Sequence, residues 1–441
     1  MFDFDMLGLS PKLLAAVKEA GYDKPTPIQN QAIPLALDGH DIMGLAQTGT
    51  GKTAAFGLPL VEHLLKTPGA PEPKAVRALI LAPTRELVNQ IATTIKTYIR
   101  NSHLKVNVVV GGQSINVQIK ALARGTDILV ATPGRLIDLL DRGAVRLDSA
   151  RHLVLDEADQ MLDLGFIHAL RRLVPQLGTP RQTMLFSATM PKQMEELSRV
   201  YLTNPKRVQV APPGKVADKI TQSLHFVEKE GKTALLRRFL TRNPDAQSLV
   251  FARTKHGAEK LMKQLVSDGF DAASIHGNKS QGQRDRAIGA FRDNRVKILV
   301  ATDVAARGLD IPGVGFVFNY DLPEVPDNYV HRIGRTARAG REGEAIAFCS
   351  AEEIGYLRQI EKVMKATIPV GGGERPEEVK PQKSGRGGGG GGGGGRGGNG
   401  GGGRPQQGQR RRPQGNANSN SAPGAGDGAA KRKRPRRRPA A

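Results

Sequence analysis

The chain has 441 residues, a length that suits two or three domains rather than one. Its 65 Lys and Arg against 42 Asp and Glu leave a formal net charge of +23, which points to a polyanionic partner, nucleic acid or an anionic membrane surface. The longest apolar runs, residues 78–82, 128–131 and 298–301, are strand-sized and exclude a membrane-spanning helix, while one cysteine, Cys349, excludes an intrachain disulfide framework and a multi-cysteine metal site. Asp3 and Asp5 stand where a secretory segment would carry positive charge, so the expected compartment is reducing and cytoplasmic.

From the N-terminus onward, short apolar runs alternate with amphipathic stretches, and they do so twice. The first set of predicted strands covers residues 42–46, 78–82, 106–110, 128–131, 152–155 and 183–186. The second covers residues 223–227, 248–251, 272–275, 297–301, 316–319 and 344–348. Near-continuous apolar strands between helices imply parallel sheets covered on both faces, the α/β class. A polar, proline-bearing stretch from about 204 to 218 reads as the connection, which predicts a first domain over 1–205, a linker over 206–218 and a second domain over 219–370. No short sequence repeat links the halves, so any likeness between them would be one of fold.

Beyond Val370 the composition changes. Residues 371–441 hold 24 of the 53 glycines, no aromatic residue, Leu, Ile or Met, and 16 basic against 4 acidic residues, so this tail alone carries +12. A segment almost without large apolar side chains cannot offset the entropy of ordering its backbone, and disorder is expected. Three readings fit it: a solubilising linker, a non-specific electrostatic arm for nucleic acid, and a nuclear localisation signal at the cationic stretch 431–438.

Three motifs carry chemistry. Ala46, Gln47, Thr48, Gly49, Thr50, Gly51, Lys52 and Thr53 follow a predicted strand and precede a helical stretch, the context of a phosphate-binding loop. There Gly49 and Gly51 free the backbone N–H groups to turn toward phosphates, Lys52 can reach the β and γ phosphates, and the Thr53 hydroxyl can ligate Mg²⁺. Next, the strand ending in Val154 and Leu155 delivers Asp156 and Glu157, then Ala158 and Asp159, to a sheet edge, where Asp156 can hold Mg²⁺ through water and Glu157 can orient or deprotonate the attacking water. Taken alone those four residues also fit an acidic helix start. The third motif, His331 to Arg338, puts Arg335 and Arg338 three residues apart, placed either as arginine fingers across a cleft or as a solvated basic face.

These motifs, with the stretch 21–29, Pro83 to Leu87, Gly111 and Gly112, Thr132 to Arg135, Ser187 to Thr189 and Thr302 to Asp310, occur in the order found in the DEAD-box RNA helicases. The chain resembles that family over roughly residues 2–369, and its compact body, helix around 356–364 and basic tail look most like the bacterial RhlE subgroup. The resemblance implies two tandem RecA-like domains, RNA-stimulated hydrolysis of ATP with Mg²⁺, and local separation of short RNA duplexes. Position by position, it implies that Gln29 reads the adenine edge with Phe4 and Tyr22 about the base, and that Gly308 and Asp310 contact the ribose from the second domain. Ser187 and Thr189 would sit between Asp159 and His331, linking the nucleotide site to domain closure, although both also suit strand-end caps. Thr84, Arg85, Gly112, Thr132, Pro133, Gly134 and Arg135 of the first domain, and Arg253, Gly277 and Thr302 of the second, would grip one RNA strand, and the helix over 136–140 would bend it.

An RNA chaperone driven chiefly by the tail and a DNA-stimulated motor are the competing readings. With no aromatic stacking residues in the tail, low sequence specificity for RNA is expected. Ribosome precursors or RNA-decay enzymes would suit the subgroup as partners, and no residue identifies one.

Overall fold

A computed structural model of the chain describes residues 3–47, 49–210, 220–306, 314–336 and 342–376. It contains two seven-stranded sheets in which every pairing is parallel. The first is formed by β1 (Ile42–Leu45), β2 (Val76–Leu81), β3 (Val106–Val109), β4 (Thr126–Ala131), β5 (His152–Leu155), β6 (Gln182–Ser187) and β7 (Lys206–Gln209). The second is formed by β8 (Ile220–Phe226), β9 (Ser248–Phe251), β10 (Ala272–Ile275), β11 (Ile298–Ala301), β12 (Phe316–Asn319), β13 (Gly343–Cys349) and β14 (Val370–Gly372). In space the strands run β3-β4-β2-β5-β6-β1-β7 and β10-β11-β9-β12-β13-β8-β14. Counted from its own first strand, each sheet has the same order, so the likeness between halves is one of topology.

Both faces of each sheet are buried, which is why the strands read as continuous apolar runs. In the first sheet Ile80, Val154 and Met184 point into one apolar layer, while Leu79, Leu153 and Leu185, one residue away on the same strands, point into the other. Alternate side chains leave opposite faces of a strand, so a run that is apolar at every position is one covered on both sides. Helices close the layers. Helix Arg85–Tyr98, for example, is capped by Thr84, whose side-chain oxygen accepts the Leu87 N–H at 3.2 Å, and it buries Leu87, Val88, Ile91 and Ile95.

Two boundaries move. The expected linker over 206–218 begins with β7, which pairs with β1 from Lys206 to Gln209, and residues 211–219 lie outside the described ones. The expected tail begins within β14, which pairs with β8, and Leu224 N donates to Pro369 O at 2.8 Å just before it. Edge strands of this kind are defined by main-chain pairing rather than by apolar side chains: in β7 Val208 alone is buried, and β14 is Val-Gly-Gly. The part of the tail beyond residue 376 lies outside the described residues.

Ending the chain at residue 369 removes β14, whereas ending it at 376 keeps it. The shorter form is expected to melt about 2–4 °C lower, the shift that about 1 kcal/mol produces in a domain of this size. Scanning calorimetry of both truncations checks this; equal melting temperatures would show that β14 adds nothing to the second sheet.

Candidate nucleotide and nucleic-acid site

Strand order sorts the motifs. Because every strand is parallel, the loops after the strands all emerge at one edge of the sheet, where ligands of open α/β sheets bind. Neighbouring strands β5, β6 and β1 deliver Asp156, Ser187 and the loop from Ala46 to Lys52 side by side. The other half, β3, β4 and β2, delivers Gly111 and Gly112, Thr132 to Arg135, and Thr84 with Arg85. In the second sheet the equivalent neighbours β10, β11 and β9 lead to Gly277, Thr302 and Arg253.

The loop after β1 is shaped by glycine. Gly49 and Gly51 have φ of 83° and 93°, the left-handed region that side chains avoid. A Cβ at Gly51 would lie 2.4 Å from Gln29 Nε2, so no other residue fits beside that amide. Gln29 is buried; its Nε2 donates to Gly51 O at 3.0 Å and its Oε1 accepts the Thr26 N–H at 2.9 Å. The residue expected to read the base is thus tied directly to the phosphate loop. Lys52 opens helix Lys52–Lys66 with Thr53 behind it, and its buried Nζ donates across the loop to Ala46 O at 3.1 Å, while Thr50 Oγ1 donates to Gln47 O at 2.8 Å. The helix N-terminus at this loop is an anion site. Phe4 and Tyr22 lie with ring centroids 6.2 Å apart, and Tyr98 Oη donates to Tyr22 Oη at 3.2 Å, so the two expected base-flanking rings pack on each other.

Asp156 and Glu157 follow β5. Burial pushes the Asp156 carboxyl up to about 6, with Lys52 pulling it down and Glu157 pushing it further up, and its Oδ1 accepts the Glu157 N–H at 3.0 Å. Glu157 holds φ and ψ of 50° each, a left-handed conformation costing on the order of 1–3 kcal/mol in a residue with a side chain. Its Oε2 is buried and has no hydrogen-bond partner within the protein. Strain and an unsatisfied oxygen in one residue at a strand end mark a side chain held for a ligand. The donor set suits Mg²⁺, a hard ion that takes one or two carboxylates, a hydroxyl and phosphate oxygens: a buried carboxylate at Asp156, the Thr53 hydroxyl, and one cation, Lys52, nearby.

Asp159 binds the β6 loop. Its Oδ2 accepts the Ala188 N–H at 3.1 Å, the Thr189 N–H at 2.8 Å and Thr189 Oγ1 at 2.9 Å, while its own N–H donates to Ser187 Oγ at 3.3 Å. The bond to His331 in the second domain is made by the next residue: Gln160 Nε2 donates to His331 Nδ1 at 3.1 Å. Thr189 and His331 share an interdomain cavity with Gln47, Ala188, Asp327 and Gly334. Sequence reasoning missed Gln160, whose only signal is that it follows Asp159.

Across the sheet, Arg85 lies on Gly111 and Gly112. A Cβ at Gly112, whose φ is 76°, would fall 2.0 Å from Arg85 Nη1. The glycine pair is therefore the seat of the guanidinium. Thr84 caps the helix that starts at Arg85; Thr132 and Pro133 open helix Pro133–Asp141; and Arg135 donates to Gln113 O at 3.0 Å. Thr84, Arg85, Gly111, Thr132, Gly134 and Arg135 line a cleft closed on the far side by Arg284 and Val304 of the second domain. Arg85 Nη1 donates to Gln281 Oε1 at 3.1 Å, and Arg284 pairs with Glu86 at 2.9 Å, a second interdomain contact that sequence reasoning missed.

In the second domain, Arg332 rather than Arg335 is the arginine built into the core. It is 2% exposed, binds Asp303 through Nε at 2.6 Å and Nη2 at 2.7 Å, donates to Asn319 Oδ1 at 3.0 Å and lies 4.9 Å over the ring of Phe251. Arg335, also buried, donates from Nε to His331 O at 3.3 Å and lines a pocket with Asp303, Asn328 and His331 of its own domain. Thr302 is nearly buried beside β10, donating from its N–H to Ile275 O at 3.3 Å, whereas a Cβ at Gly277 would meet open space. Arg253 is held by an acidic partner described below. Thr48, Gly308, Asp310 and Arg338 lie outside the described residues.

A DEAD/DEAH box helicase family model matches residues 26–197, and a helicase conserved C-terminal domain model matches residues 231–340. The ATP-dependent RNA helicase CshA of Limosilactobacillus reuteri is 44% identical over 366 residues, covering 83% of this chain and 72% of that protein. The CshA of Listeria monocytogenes is 42% identical over 365 residues, covering 83% and 69%. Among solved structures, S. cerevisiae Dbp5 bound to RNA and ADP BeF3 is similar with a TM-score of 0.74 at 32% identity, covering 84% of this chain and 95% of that one. With both RecA-like sheets, their motifs and these relatives in agreement, the chain belongs to the DEAD-box ATP-dependent RNA helicases and is an ATP-hydrolysing RNA helicase.

Proposed function

We propose that the chain separates short RNA duplexes locally, by closing its two domains on ATP and one RNA strand so that the bent strand cannot remain paired. The observation that carries this reading is the placing of the interdomain contacts. Gln160 meets His331 beside the nucleotide half of the first sheet, and Glu86 meets Arg284 beside the strand half, so one closure registers both ligands.

In this reading the γ-phosphoryl group lies between the loop carrying Lys52 and the strand end carrying Asp156 and Glu157. Thr53, and Asp156 through water, would hold Mg²⁺, which would supply neutralisation of phosphate charge. Glu157 takes a proton from the attacking water as its oxygen bonds to the γ phosphorus and the bond to the β–γ bridging oxygen breaks. Gln29, Phe4 and Tyr22 hold the base, Gly308 and Asp310 the ribose, and Arg335 with Arg338 meets the developing charge from the second domain. Arg335 keeps its Nε on the His331 carbonyl, and its Nη nitrogens would meet that charge. The RNA strand takes the cleft lined by Thr84, Arg85 and Arg135, through backbone and phosphate contacts of low sequence specificity. Release of ADP and phosphate reopens the cleft. A cytoplasmic setting and the RhlE subgroup are part of the same proposal, resting on the sequence; among the described residues no helix is long and apolar enough to cross a membrane.

Glu157→Gln retains the shape of the site and removes the base. Turnover is expected to fall by about 10² or more while ATP and RNA still bind, as measured by steady-state hydrolysis beside equilibrium titration. Unchanged turnover would remove Glu157 from the mechanism.

For Arg335→Ala in the full chain, RNA-stimulated hydrolysis is expected to fall by about 10³, the lower range for an arginine finger, with KM for ATP changing far less than kcat. A variant retaining near wild-type stimulated rates contradicts the finger role.

Deleting residues 377–441 removes 15 cations and leaves β14 in place. Each cation lost from phosphate contact lowers the slope of log affinity against log salt by about 0.7 on single strands. Weaker RNA binding with a shallower slope is expected, with little change in ATPase rate at saturating RNA. RNA titrations at several salt concentrations check this, and equal slopes would make the tail a passive linker.

A further inference from the structure

Arg253, two residues past the end of β9, is held from three sides, by Asp321, Glu353 and Tyr356. Its backbone N–H donates to Asp321 Oδ2 at 2.9 Å, its Nη2 donates to Glu353 Oε1 at 2.5 Å, and its guanidinium carbon lies 5.2 Å from the ring centroid of Tyr356. Glu353 and Tyr356 lie beyond residue 340, where the family match ends.

Glu353 is itself fixed. It is 2% exposed, and its Oε2 accepts Lys232 Nζ at 2.6 Å, the Ser350 N–H at 3.1 Å and Ser350 Oγ at 3.2 Å, while its Oε1 also accepts the Leu322 N–H at 3.1 Å. Lys232, equally buried, is anchored in turn on Tyr320 O at 2.8 Å and Asp321 Oδ1 at 3.3 Å. A carboxylate with every lone pair engaged between two cations and two backbone amides cannot follow a moving guanidinium. Arg253, by contrast, keeps a side chain 32% exposed toward solvent. One nitrogen and one face of the guanidinium are thus immobilised and its Nε is buried without a hydrogen-bond partner, while part of the side chain stays open to solvent.

We infer that Glu353 and Tyr356 are positioning residues that fix the Arg253 guanidinium in the orientation in which it receives an RNA phosphate. The inference rests on the reading of Arg253 as an RNA-gripping residue. An arginine that is free in solvent loses its rotamer freedom when it binds; one already clamped by folding binds with less loss and with a defined fork geometry. The alternative function for the same contacts is competition, in which Glu353 neutralises Arg253 and the phosphate must displace it. The burial and full engagement of Glu353 favour positioning.

The test uses the full chain and an unlabelled single-stranded oligouridylate, read as the RNA concentration for half-maximal ATPase stimulation at several salt concentrations. Tyr356→Leu changes no charge. It is expected to raise the half-maximal concentration about fivefold, with kcat at saturating RNA changed less than twofold and a salt slope shallower by up to about 0.7, the share of one phosphate contact. Arg253→Ala is expected to give the same slope loss, and the double variant no further weakening. Glu353→Gln, which keeps the shape, is expected to weaken RNA binding as well, and it carries the test if Tyr356→Leu does not fold. Tighter binding by Glu353→Gln would establish competition and overturn positioning. A wild-type response from Tyr356→Leu with a weakened Arg253→Ala also overturns it, whereas a wild-type response from Arg253→Ala overturns the RNA role of Arg253 itself.

Discussion

Parallel strand pairing is the constraint from which the rest follows. When all strands of a sheet point one way, every loop that leaves a strand does so at the same edge, and which loops become neighbours depends on strand order alone. In the order β3-β4-β2-β5-β6-β1-β7, the motifs between residues 46 and 189 separate into the half proposed to hold the nucleotide, after β5, β6 and β1, and the half proposed to hold the RNA strand, after β3, β4 and β2. The second sheet repeats the order, so Gly277, Thr302 and Arg253 occupy the half equivalent to that of Gly112, Thr132 and Thr84. Two copies of one topology, facing each other across a cleft, thereby bring like surface to like surface.

Local sterics then refine what topology has grouped. Gly51 is needed where Gln29 closes on the phosphate loop, and Gly112 where Arg85 lies down on the backbone, since a Cβ at either site would stand under 3 Å from the neighbouring side chain. At Glu157 the opposite occurs: a residue with a side chain accepts a left-handed conformation and leaves an oxygen unsatisfied, an arrangement that the β5 and β6 ends impose and that packing alone would not favour. Where the fold tolerates such a penalty, chemistry rather than stability has set the residue.

How much of this is legible in the sequence depends on whether a feature leaves a pattern along the chain. Strands such as β5, β9 and β12 are read at their observed bounds because burial on both faces leaves three of the four residues in each apolar, with His152, Ser248 and Asn319 at their ends. β7 and β14 are not, because Lys-Arg-Val-Gln and Val-Gly-Gly offer almost no apolar run and are held by main-chain hydrogen bonds that any residue can make, whereas the opposite edge strands β3 and β10 keep an apolar pattern and are read. The phosphate loop and the Asp156 to Asp159 stretch are legible because their chemistry demands fixed spacing. The pairs Gln160 with His331, 171 residues apart, and Arg253 with Glu353, 100 apart, obey no spacing, and only the folded chain brings them together. The arginines after β12 obey the same limit: no spacing says that Arg332 pairs with Asp303, 29 residues earlier, which the fold brings within its reach.

The contacts between domains are of a strength that suits switching. Gln160 to His331 is a single hydrogen bond adding about 0.5–1.5 kcal/mol net, Arg85 to Gln281 is a charge-assisted one adding about 1.5–3 kcal/mol, Gln281 also reaches Glu86 at 3.4 Å, and Arg284 to Glu86 is one ion pair with side chains 15% and 8% exposed. Compare the bonds within domains: Asp159 accepts three donors from one loop, and Arg332 engages Asp303 through two nitrogens. Among the described residues, bonds that shape each half-site are multiple and buried, whereas those named here as joining the halves are single hydrogen bonds and one ion pair. A ligand that contacts both halves adds its differential binding energy to this small interdomain sum, and so can decide between open and closed without disturbing either sheet. In the proposed mechanism, rigid halves joined by such contacts would let the binding and loss of one nucleotide move a whole domain.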